Sequence, residues 1–221
     1  MSDLLPLLPL GAVVFPGMTI PLRIFEARYR RMLDQRLQRD PAFGIVLLRS
    51  GRDTDVFTDQ DLSTTGTAVR LVARRILPGG QIAIEVQGTR RFAIQSVNWD
   101  LGYGLATIAW HDETVRNPQH LTSIMQPTLD AFNHYVQSVT AITGRVFDGV
   151  RISPDPLRAT WDLAARLPLH VWERQRLLEL PGAEARAEAL SSLIRREQHL
   201  LVDAGVLGVT LEHPGHTFTL N

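Results

Sequence analysis

With 221 residues, 44% of them apolar, the chain is long enough to bury one large core or two modest ones. The charge balances at 23 basic against 23 acidic residues, which argues against a broadly basic nucleic-acid binder while leaving room for a local basic patch. Cysteine and lysine are both absent, which excludes disulfides, thiolate metal sites, cysteine nucleophiles, Schiff-base amines, Ser–Lys dyads and a phosphate-loop lysine.

No apolar run approaches the roughly 20 residues of a membrane span. The opening segment is apolar, but Asp3 stands where a secretory signal carries positive charge, and Pro6, Pro9 and Pro16 interrupt it. The expectation is a mature N-terminus in a cytoplasmic protein. Leu4 to Leu10 reads as a short strand with edge prolines, Phe15-Pro16-Gly17 as a turn, and Thr19 to Ile24 as a returning strand. A helix is predicted from Phe25 to Gln38, its buried face marked by Phe25, Tyr29, Leu33 and Leu37 at every fourth position. Asp40-Pro41 stops it.

Phe43 to Leu48 is an apolar strand, and the acidic stretch from Arg49 to Leu62 reads as an exposed loop. Long strands follow over Thr67–Leu77 and Gln81–Val97, joined by the hairpin signal Pro78-Gly79-Gly80. Gly88 marks a bend or bulge, and Tyr103 to Trp110 a last strand. Several long antiparallel strands with one early helix predict a small, nearly closed barrel.

The pattern changes near residue 115. Asn117-Pro118 and Asp155-Pro156 each pair a capping side chain with proline at the first helical position. Leu121, Ile124, Met125, Leu129, Phe132, Val136 and Val139 hold helical spacing, with Pro127 expected to kink or split the helix and Gly144 to end it. Further helices are predicted from Asp155 to before Pro168, over Leu169–Glu179, and over Ala183–Val202, the last with the seam Ala183, Ala187, Leu190, Ile194 and Leu201. The division predicted is a barrel over residues 1–115, a helical bundle over 116–203, and an extended tail over 204–221.

Catalytic signatures are missing. No G-x-S-x-G elbow and no H-E-x-x-H pair occurs. His213 and His216 would give only two imidazoles, short of a zinc site, and Asp53, Asp55, Asp59 and Asp61 lack the central glycine and terminal glutamate of an EF-hand loop. No cofactor, no metal and no catalytic residue is expected.

The string from Leu4 to Leu10, the Phe15-Pro16-Gly17 turn and the segment Pro21-Leu-Arg-Ile-Phe-Glu-Ala-Arg-Tyr29 together resemble the N-terminal domain of the Lon (ATP-dependent protease La) family. Phe43-Gly44-Ile45, Gly66-Thr67-Ala68, Gln87-Gly-Thr-Arg-Arg-Phe92 and Leu177-Leu178-Glu-Leu180 follow in the family order, so the likeness extends to about residue 202. The resemblance implies an α+β fold, a PUA-like antiparallel β-barrel with one inserted helix followed by a C-terminal helical bundle. It implies a free-standing, non-catalytic substrate-recognition module, without ATPase or peptidase modules, whose partners are unfolded or partly folded polypeptides or another protein.

Three surfaces are candidates for that binding. Met18 and Arg23 lie within the conspicuous string from Phe15 to Tyr29; its residues either serve the packing of helix on barrel or border a groove for unfolded chains, to which a flexible methionine is suited. A three-residue turn at 78–80 would set Arg70 opposite Gly88, near Arg90 and Arg91, with Arg74 on the same strand face as Arg70. These four are either a solvated sheet face or an arginine patch for an acidic peptide or, as the alternative function, an RNA backbone. Trp161 and Trp172 are either bundle core or docking anchors. The oligomeric state is not legible.

Overall fold

The computed structural model describes residues 3–36, 42–49, 58–78, 81–144 and 151–207. Among these lie six strands and five α-helices, an α+β fold on one mixed sheet. The chain divides into two compact units. Unit 1 comprises Met1–Asp112 and His170–Glu179, together with the last five residues, which lie outside the described set. Unit 2 comprises Glu113–Leu169 and Leu180–His216.

The strands are β1 (Asp3–Leu10), β2 (Thr19–Ile24), β3 (Ala42–Leu48), β4 (Leu62–Ile76), β5 (Ile82–Asn98) and β6 (Leu105–Trp110), in the order β2-β5-β4-β3-β1-β6. Because β5 also pairs with β6, the ladder β5-β4-β3-β1-β6 returns to its start, leaving β2 on a branch beside β5. One pairing corrects the expected all-antiparallel arrangement: β1 and β3 run parallel, with Leu7 beside Gly44 and Leu10 beside Leu47. A tight hairpin cannot join parallel strands; here β2 and α1 (Ala27–Arg36) form the crossover. The prolines of β1 are also explained. Asp3–Pro6 pair with β6 and Leu7–Leu10 with β3, so Pro6 and Pro9 each occupy a stretch paired on one side.

Strand alternation sorts the apolar side chains into two cores. On β1, Leu5 and Leu7 enter one core, and Leu8 and Leu10 the other; β3 likewise splits Val46 and Leu48 from Phe43 and Ile45. Both faces of these strands are covered, which accounts for continuous apolar runs where a half-exposed strand would alternate. Phe92 fills the second core because Gly44 and Gly66 lie over its ring: a Cβ on either would stand 2.6 Å from Cζ. Helix α1 buries Tyr29, Met32 and Leu33 in the first core. Phe25 is only half-buried, and Leu37 lies outside the described residues.

Unit 2 contains α2 (Pro118–Thr143), α3 (Pro156–Arg166) and α5 (Ala183–Leu207). Both predicted caps form: Asn117 accepts from the His120 N–H and Asp155 from the Arg158 N–H. Gly144 ends α2 at φ 66°. The helix runs through Pro127 without splitting; the proline is exposed, so the position that loses an N–H faces solvent. Its buried stripe is Leu121, Met125, Thr128, Phe132, Tyr135 and Val139. Thr128 enters it by donating its hydroxyl to the Ile124 carbonyl at 2.7 Å. The predicted α5 seam is buried from Ala183 through Leu201, and the helix continues to Leu207, past the point where a tail was expected.

Arg186 lies fully buried within unit 2. Its guanidinium stacks 3.3 Å from the Trp161 ring centroid and donates to Glu113 at 3.0 Å and to the Thr160 hydroxyl at 2.8 Å. Removing it would break the ion pair to Glu113 and leave a hole under the indole. Arg186→Ala is therefore expected to lower stability by about 3 kcal/mol in urea denaturation, with Arg186→Lys failing to restore it because ammonium lacks the planar fork.

Candidate functional site

Helix α4 (Val171–Glu179) belongs to unit 1, and three backbone carbonyls of the sheet region or of the helix itself fix it there. Arg174 donates to the Val13 carbonyl at 3.4 Å and lies 4.7 Å over the Phe15 ring. Burial pushes its pKa down to about 10, so it remains charged at neutral pH. Gln175 donates to the Thr65 carbonyl at 3.0 Å, and Arg91 of β5 donates to the Leu178 carbonyl at 2.7 Å.

The Phe15-Pro16-Gly17 turn sits against β5 at Gly88. Gly17 adopts φ 84°, and the Gly17 and Gly88 N–H groups donate to Gly88 O and Met18 O at 2.9 Å each. A side chain at Gly88 would collide with the Phe15 carbonyl oxygen. This is the physical basis of the glycine predicted to mark a bend. Thr67 closes the contact by donating to the Val14 carbonyl at 2.6 Å.

Met18 is half-buried against the first core, with its sulfur 3.5 Å from Arg174 Nη2. Arg23 is exposed on β2, opposite Ala83. The four candidate arginines do not form one patch. Arg70 lies opposite Gln87, not Gly88, because an irregularity between Leu71 and Ala73 shifts the register by one residue. It donates twice to Gln87 Oε1, at 3.1 and 2.6 Å. Arg74 pairs with Ile84, on the face of β5 opposite to that of Gln87, and binds Asp34 at 2.7 Å. Arg90 pairs with Asp112 and lies 5.0 Å over the Trp110 ring. Arg91 is only 2% exposed.

A cleft of about 390 Å³ opens between α4 and the start of β4, within the range that binds ligands. Trp172, Gln175, Arg176 and Glu179 recur at i, i+3, i+4 and i+7, so one helical face supplies one wall. Arg49, Ser63 and Thr64 supply the other. Trp161 is core at 4% exposed, whereas Trp172 is 42% exposed in this cleft. The sequence reading missed the rest of the cleft because it placed Ser63 and Thr64 ahead of a strand expected to begin at Thr67. The stripe of Trp172 with the polar Gln175, Arg176 and Glu179 on α4 was the signal available.

Asp59 accepts from the Trp99 indole at 3.0 Å and Asp61 from the Thr58 N–H and hydroxyl at 2.9 and 2.8 Å, while Asp53, Asp55, His213 and His216 lie outside the described residues. Among the described residues no three His, Asp or Glu side chains gather as a metal site, and no helix is long and apolar enough to cross a membrane.

The family model of the ATP-dependent protease La (LON) substrate-binding domain matches residues 4–196. The chain belongs to that family. It is 25% identical over 198 residues to the Lon protease of Escherichia coli K12, covering 89% of this chain and 25% of that protein. It is 28% identical over 196 residues to the Lon protease of Xanthomonas oryzae pv. oryzae, covering 87% and 23%. The chain thus spans about a quarter of the length of these relatives. Among solved structures, a Lon N-terminal domain protein from Xanthomonas campestris superposes with TM-score 0.59 at 26% identity, over 86% of this chain and 98% of that one. The N-terminal domain of the Mycobacterium avium complex Lon protease gives TM-score 0.66 at 17% identity, over 87% and 98%, a likeness of fold. What the match covers is a LON substrate-binding domain, and the relatives are bacterial.

Two expectations follow for this LON domain. Gly88→Ala should cost about 2 kcal/mol by driving the Phe15 turn off β5, seen as a lowered urea midpoint. Arg91→Ala should cost about 2 kcal/mol through the lost charged bond to α4, while Arg70→Ala should change the stability by no more than about 0.5 kcal/mol.

Proposed function

We propose that this chain is a non-catalytic polypeptide-binding module that holds unfolded or partly folded chains. The observation that carries the reading is the match of residues 4–196 to the domain named for binding the substrates of a protease. The residue inventory supports it: without lysine there is neither a phosphate-loop lysine for ATP hydrolysis nor a Ser–Lys dyad for peptide cleavage. The closed ladder β5-β4-β3-β1-β6 is read as a PUA-like barrel. We assign its action to the cytoplasm. Met18 and Arg23 remain candidate contacts at the β2 side. RNA binding gains no support, since Arg70, Arg74, Arg90 and Arg91 all have acceptors within the fold.

The test is fluorescence anisotropy with a labelled, reduced and carboxymethylated polypeptide that cannot fold. Saturable binding at or below tens of micromolar is expected, with the labelled chain uncut in the presence of ATP and magnesium. No binding in that range overturns the reading, as does cleavage abolished by changing one side chain of this protein.

A further inference from the structure

The α4 cleft gathers two guanidiniums, one carboxylate and an exposed indole. Its wall carries two guanidiniums, Arg49 and Arg176, and among the described residues neither has an ion-pair partner. Arg28, Arg74, Arg90, Arg166 and Arg186 are each paired with a carboxylate; what distinguishes Arg49 and Arg176 from other exposed arginines such as Arg23, Arg31 and Arg75 is that they line one cleft. Glu179, the one carboxylate of the cleft, accepts from Gln175 Nε2 at 2.7 Å, so the lining retains net positive charge.

Gln175 fixes the geometry of that lining. Its side-chain nitrogen donates both hydrogens, to the Thr65 carbonyl at 3.0 Å and to Glu179. Both partners are pure acceptors, so the orientation of the amide is fixed. Gln175 thereby holds the α4 wall of the cleft to the start of β4. Trp172 supplies an exposed aromatic face on the same helical stripe.

We propose that this cleft is the seat of a polypeptide segment bearing a carboxylate next to an aromatic or large apolar residue. Arg49 and Arg176 hold the carboxylate, and Trp172 packs on the neighbouring side chain. The proposal rests on the polypeptide-binding reading and names the chemistry it selects. The carboxylate has two sources, an internal Asp or Glu or the chain terminus. Two cations beside a carboxylate suit a single anion better than the run of phosphates in a nucleic acid, which needs several basic contacts.

The test uses fluorescein-labelled decapeptides in a Gly-Ser background with one Phe. One carries an adjacent Asp and an amidated end; a second ends in Phe with a free carboxylate; a third has Asn and an amidated end. One or both carboxylate peptides are expected to bind at least tenfold more tightly than the third, and which one does so identifies the source. Arg49→Ala, Arg176→Ala and Trp172→Ala should each cost about tenfold on that peptide. Each alters a cleft-lining side chain outside both cores, and an unchanged urea midpoint verifies the fold. The unfolded polypeptide is measured in parallel. If it binds the wild type and the triple variant equally, the cleft is the wrong site and the polypeptide-binding reading stands. If it does not bind the wild type, both fall. Equal binding of all three peptides, or displacement of the preferred peptide by a single-stranded decauridylate at equal concentration, also overturns the proposal.

Discussion

The contact between the Phe15-Pro16-Gly17 turn and β5 organises unit 1. Gly88 has no side chain, so the Phe15 carbonyl can lie against the β5 backbone, where the Gly17 and Gly88 N–H groups complete two hydrogen bonds. That contact fixes where β2 begins and hence its register with β5, from Thr19 beside Gln87 to Ile24 beside Ile82. Beyond it β5 exchanges β2 for β6 as its outer partner, with Phe92 beside Trp110. The same turn offers the Phe15 ring to Arg174, so the seat of α4 is set by it too.

Arginine does structural work here that lysine could not. Arg91, Arg174 and Arg186 are all at least nine-tenths buried, and each combines hydrogen bonds from a planar fork with a backbone carbonyl, an aromatic face or a carboxylate. A compact ammonium would satisfy one of these partners and leave the others. The guanidiniums at the surface of the cleft differ from these: the buried ones hold the fold, whereas Arg49 and Arg176 have no ion-pair partner among the described residues.

Helix α4 links the fold to the cleft. Its inner face, with Arg174, Gln175, Leu177 and Leu178 buried, locks it to the sheet, and the adjoining face presents Trp172 and Arg176. Gln175 ties the two together, since its side-chain nitrogen holds the helix to Thr65 at the edge of the cleft. A site carried on a helix anchored at three carbonyls keeps its geometry without a ligand, which reduces the entropy lost on binding.

The sequence by itself determined the elements and the family. Apolar periodicity located the strands, Asn117-Pro118 and Asp155-Pro156 set the helix starts through local capping chemistry, and the excluded chemistries followed from the absence of two residue types. These are short-range or compositional properties, readable without a partner in space. Tertiary structure decided the rest. An irregularity at Val72 turned Arg74 away from Arg70, because a single extra residue inverts a strand's alternation. The parallel pairing of β1 with β3 and the placement of α4 in unit 1 depend on contacts between segments up to 161 positions apart, such as Arg174 to Val13. The cleft is of the same kind: it exists only where Ser63 and Arg49 meet α4, and no local pattern records that meeting.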